Sequence, residues 1–218
     1  VKTATASYIG VSAGVSEASL VGIDAIDLYV TGSVDFNNAS AGDRIDWSTA
    51  TSEANDPEGL LADLDISSSV QLYATGSGAL NVGPGNVVAV GTIEFSLSNM
   101  TVQGGGTVGE LAGADVVSVS VSNASVFVGT GHAGLEADAQ SPVGYSVVDI
   151  DDASNDPAIG FNVEGITFGL NTVKTATASY IGVSAGVSEA SLVGIDAIDL
   201  YVTGSVDFNN ASAGDRID

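Results

Sequence analysis

The sequence predicts an all-β protein, built from long antiparallel strands in a β-sandwich-like stacked repeat array, with a β-solenoid as the alternative. Three observations carry this. Apolar residues recur with period two through most of the 218 residues, which is the strand signature. The apolar runs alternate with Ser, Thr and Asp, as in a sheet with one buried and one wet face, and such sheets are usually antiparallel. Residues 173–218 also repeat residues 1–46 letter for letter, so the chain reads as one 172-residue unit, 1–172, followed by the start of the next, 173–218.

The first strands are expected at 5–13, 16–23 and 26–36. In the last of these Ile26, Leu28, Val30, Val34 and Phe36 alternate with Asp27, Tyr29, Thr31, Ser33 and Asp35. Residues 37–59 read as a long loop holding the only tryptophan, Trp47. Within it, Asn55-Asp56-Pro57-Glu58 before Leu60-Leu61 has the cap, proline and early-acid signature of a short helix. A strand follows at 62–74, with Leu64, Ile66, Val70 and Leu72 on one face. Gly83-Pro84-Gly85 and Gly104-Gly105-Gly106 mark turns. Between and beyond them, strands are expected at 86–91, around Ile93, Phe95 and Leu97, at 116–122 and at 124–130. Gly131-His132-Ala133-Gly134 reads as a surface turn, and further strands are expected at 144–151 and 159–170. Runs of this length are long for strands, with Gly32 and Gly76 as the places where they would bend.

Composition removes several functions. The chain has 4 basic residues, 27 acidic ones, one histidine and a net charge of −23. Such a surface does not neutralise a phosphate backbone, so no nucleic-acid partner is expected. Anionic membrane surfaces are disfavoured for the same reason, and membrane insertion is not expected. With no cysteine there is no disulfide framework, thiolate metal site or cysteine nucleophile. The lack of an initiator methionine at residue 1 and the start in mid-pattern suit a piece from the interior of a long array.

An acidic array gains from counter-ions, and calcium is the cation that suits clustered oxygen donors. The best cluster is Asp149, Asp151, Asp152, Asn155 and Asp156; a second is Asp43, Asp46, Glu53, Asn55, Asp56 and Glu58. Neither follows the EF-hand loop or the calcium-binding β-roll nonapeptide. Asp149 and Asp151 would share a strand face as a paired-carboxylate site, but acids are scattered along the whole chain and no catalytic residue is assigned. Asp43, Arg44 and Asp46 suggest a local ion-paired cluster. Leu28-Tyr29-Val30 and its duplicate Leu200-Tyr201-Val202 are the candidates for contacts between repeats, and Trp47 is the candidate for a ligand loop.

The near-identical long repeat, the Val/Ser/Thr/Asp/Gly alternation, the missing cysteine and the acidity resemble the repeats of giant bacterial extracellular proteins, the surface adhesins and fibre-forming proteins. Segments such as Gly160–Leu170 and Ala18–Asp24 look like their strand motifs. The resemblance implies a cell-surface or extracellular location and a load-bearing or adhesive role, and it carries over no catalytic residue; a structural, non-enzymatic repeat is the reading expected. Neighbouring identical repeats, in the same chain or a homopolymer, would be the partners. The alternative is an adhesin module that grips cell-surface glycans through exposed loops. No cofactor other than calcium is expected.

Overall fold

A computed structural model gives the structure. It describes all residues except Gly22, Pro84, Asp151, 153–157, 196–197, 199 and 218. The strands are β1 (Tyr8–Ser19), β2 (Ile26–Ala39), β3 (Val70–Val82), β4 (Val87–Gln103), β5 (Glu110–Thr130), β6 (Leu135–Ala137), β7 (Tyr145–Val147), β8 (Ile159–Lys174), β9 (Ser179–Val193) and β10 (Leu200–Ala211). The fold is all-β, with long antiparallel strands, as the alternation predicts. Eight strands form one open sheet in the order β1-β2-β3-β4-β5-β8-β9-β10, and β6 and β7 form a small ribbon of their own.

The strands outrun several of their expected boundaries. Gly32 and Gly76 sit directly opposite each other in an unbroken β2–β3 ladder, so neither bends its strand. The two runs expected at 116–122 and 124–130 are one strand, β5, with Asn123 at positive φ between them. There two residues of β5, Asn123 and Ala124, oppose the single Gly91 of β4, the geometry of a bulge. Register shifts with an extra residue also occur in β1, β8 and β9 at about this level of the sheet. Gly165 in β8 has φ +59°, and a Cβ there would lie 1.9 Å from the Ser188 hydroxyl of β9.

Two local expectations are corrected. The helix is α1 (Trp47–Ala50), not at 55–61. Asp46 caps it, its carboxylate accepting the Thr49 N–H at 3.0 Å. The Asp56 carboxylate instead accepts the Leu60 and Leu61 amides, and Gly59 turns the chain at φ +60°, which closes a turn rather than starting a helix. Residues 68–69 form a turn closed by the Val70 N–H donating to the Ser67 carbonyl at 3.3 Å, and residues 62–67 join no ladder. They cross the sheet with Ile66 buried and its carbonyl accepting the Trp47 N–H at 2.8 Å.

The register divides the side chains between two faces of the sheet. On one lie Asn37, Ala79, Val88, Val116, Phe127, Asn162, Val173 and Ser191, all buried. The loop around α1 covers this face at one end. The β6–β7 ribbon covers it at the other, with Tyr145 stacked on Tyr29 at 4.0 Å and Leu135 and Val147 packed against Val88 and Phe127. This covered face carries the Ser/Thr/Asp alternation. The opposite face carries the Val/Ile/Leu/Phe alternation, and no described element of the chain packs on it. The expectation that the apolar face is the buried one is therefore reversed within a single chain: the loop around α1 and the β6–β7 ribbon both lie on the polar side. The layering is sandwich-like but unequal, one large sheet under a thin layer of loops and ribbon.

Candidate functional site

The two identical 46-residue segments of the sequence lie at opposite ends of the sheet. β1 and β2 form one edge; β9 and β10, their duplicates, form the other. The unit ends inside β8, and β8 pairs with β9 from Gly160↔Val193 to Lys174↔Ser179. This ladder is where one copy meets the next.

The turn leading into each copy is built the same way. At the second copy, the Thr175 N–H and hydroxyl both donate to the Ala178 carbonyl, at 2.9 and 3.1 Å, and the Ser179 N–H reaches the Ser212 hydroxyl at 2.9 Å. At the first copy, Thr3 makes the same two bonds to Ala6 at 2.8 and 3.1 Å, and Ser7 reaches Ser40 at 2.9 Å. Val1 then exchanges hydrogen bonds with Tyr8, and Lys2 bridges Ser7. These are the pairings that Val173 and Lys174 make with Tyr180 and Ser179. Val1 and Lys2 thus sit on the outer edge of β1 where the end of a β8-like strand would sit.

The candidate contact residues fall elsewhere. Tyr29 and Val30 pair within the unit, with Ser19 and Ala18 of β1 and with Ala79 and Gly78 of β3; Leu28 faces Leu80. Leu200, Tyr201 and Val202 lie in the outermost strand, paired with Leu192, Ser191 and Ala190 of β9. The copies meet through β8 and β9, not through these two triplets, because antiparallel order puts each hairpin's second strand one place beyond the boundary. Tyr201 is 72 % exposed, whereas Tyr29 is partly covered by Tyr145.

Trp47 is not an exposed gripping residue. It is 5 % exposed and lies flat on Gly10, where a Cβ would come within 2.6 Å of the indole. Its Nε1 donates to Asn37 Oδ1 at 3.0 Å, while the Asn37 amide donates to the carbonyls of Ile45 and Ser67 at 2.9 and 3.1 Å. A buried amide with every bond made orders the loop on the sheet. In the second copy the matching surface, around Gly182, Asn209 and Ile217, is a groove of about 560 Å³. Asn209 already donates to the Ile217 carbonyl, and nothing lies within 4 Å of a Cβ at Gly182.

Arg44 donates to the Ser68 and Ser69 carbonyls at 3.0 and 3.1 Å, while Asp46 caps α1, so the two serve separate backbone groups. The Ser48 hydroxyl and the Thr49 amide hold the Asp46 carboxyl below its ordinary range. His132, expected on the surface, is buried against Phe127, ring centroids 4.5 Å apart, and its Nδ1 accepts the Gly134 N–H at 2.8 Å. Burial pushes its pKa down, against a weaker opposing effect of the Val148 backbone. Nothing in the Gly-His-Ala-Gly run signals this; Phe127, at the end of β5, pulls the turn inward.

Of the calcium candidates, Asp149 lines an acidic groove of about 560 Å³ between the sheet and the β6–β7 ribbon, which also holds Glu136, Asp138 and Glu164. Asp152 is exposed in the following turn, and Asp151, Asn155 and Asp156 lie outside the described residues. Among the described residues no three His, Asp or Glu side chains are grouped to hold a metal ion, and no helix is long and apolar enough to cross a membrane. No protein-family model matches the chain, nor does any curated protein or solved structure.

Proposed function

We propose that this chain is a structural, non-enzymatic repeat segment of an extracellular filament or giant cell-surface protein, extended by strand pairing between successive copies. The observation that carries the reading is the edge of β1. Its sequence is that of β9, which is paired on both sides, and it already holds Val1 and Lys2 in the register of Val173 and Lys174. The opposite edge, β10, has the sequence of β2, which in the first copy pairs with β3. Each edge therefore fits the strand that adjoins its duplicate. A sheet that adds units in this way covers its own edges and draws stability from its neighbours. The cell-surface placement rests on the sequence resemblance, and calcium in the acidic grooves is its accompanying proposal.

Thermal melting of chains of one, two and three 172-residue units tests the reading. The midpoint should rise from one unit to two and more slowly thereafter. Equal midpoints would overturn it. Melting with and without EDTA tests calcium, an unchanged midpoint counting against it.

A further inference from the structure

The open face of the sheet carries no charge away from its rim. Across the eight strands it presents Val11, Val34, Phe95, Val119, Leu170 and Val206, placed there by register. Ile93, in the middle of the central strand β4, is 57 % exposed, and Val206 and Phe208 are 63 % and 54 % exposed. The ladder carboxylates Asp27, Asp35, Glu94, Glu164, Glu189 and Asp207 all lie on the other face. Asp115, bonded to Asn99 at 2.9 Å, Lys174 opposite it, and Glu110, paired with Gln103, mark the rim.

We propose that this face is covered by the same face of a second copy, the two sheets packing back to back into a full β-sandwich with both acidic faces outward. Eight strands about 4.8 Å apart and roughly ten residues long give a footprint of about 1,200 Å². A stable dimer needs about 800 Å² per partner, and monomers rarely expose apolar patches beyond a few hundred Å². Charge selects the occupant. Two chains of net charge −23 repel each other through any acidic surface, and this face is where they meet without facing carboxylates. Twisted sheets of this kind stack about 10 Å apart with their strands at about 30°. The inference stands on the sheet alone and does not require the repeat reading.

The intact 218-residue chain is examined by sedimentation equilibrium at micromolar concentrations, with Ile93→Glu and, on the covered face, Ser96→Glu. The expected result is a dimer for the parent chain and for Ser96→Glu, and a dissociation constant raised at least about 100-fold by Ile93→Glu, which would bury a lone charge. Because the chain has no cysteine, Ile93→Cys is a mild second variant. A short bismaleimide should join two copies through it, and not through Ser96→Cys. A monomer at every concentration would overturn the proposal. So would a dimer indifferent to Ile93→Glu, which indicates edge-to-edge pairing, or a monomer that binds phosphatidylcholine vesicles, which assigns the face to lipid. A monomer whose melting still rises with unit number would sink this inference and leave the repeat reading standing.

Discussion

Asn37 and Trp47 show how one polar side chain organises a long loop. The Asn37 amide ties Ile45 and Ser67 while its oxygen receives the indole N–H, so both ends of a thirty-residue excursion are anchored at one buried point. Gly10 makes room for the ring. Gly10→Ala should therefore cost about 1–3 kcal/mol through displacement of the indole. Gly182→Ala, the same substitution in the second copy, should stay within about 0.5 kcal/mol; urea unfolding of the two variants checks the contrast. His132 supplies a pH dependence. Its folded pKa lies below the ordinary 6.5 because burial disfavours the charged form. On acidification the unfolded chain takes up the proton first, so this contribution is complete above about 6.5 and is lost as the pH falls below it. The melting midpoint should drop between pH 7.5 and 5.5, and the drop should shrink in His132→Phe.

At the scale of elements, one sequence sits in two environments. β1 has a neighbour on one side over most of its length, while its duplicate β9 is paired to β8 and β10. Residue-resolved amide exchange should find the outward amides of β1 exchanging at least about 100-fold faster than their counterparts in β9. Equal protection would mean that the β1 edge is already paired in solution. The periodicity located most strands because alternation is a local property. It mislocated the helix because a capping carboxylate serves whichever amides the chain brings to it: Asp46 found Thr49, and Asp56 found Leu60 and Leu61. It split β5 at Asn123 because a bulge interrupts the alternation of side chains without ending the strand.

For the whole molecule, the first 172 residues hold six strands of the sheet, β1 to β5 and β8, so on the proposed reading each further unit would add six. At about 4.8 Å per strand an array should lengthen by roughly 29 Å per unit. Small-angle scattering or electron microscopy of chains differing in unit number measures this directly, and a much smaller increment would mean that the units fold back on one another. Back-to-back pairing would leave that increment unchanged and thicken the array. Added salt should strengthen it, since screening weakens repulsion between acidic surfaces.

The strand class, the 172-residue period and the segregation of apolar from acidic side chains are contained in the sequence, because period-two alternation and literal identity need no third dimension. Which face the chain covers is not. Leu64, Ile66, Leu135 and Val147 show that connecting segments carry apolar residues of their own, and these settled over the Ser/Thr/Asp side through Asn37, Phe127 and Val88. Burial is a property of what the loops reach, and that is decided only when the chain has closed its turns. So the face that looked like a core in the sequence is left for another surface to cover.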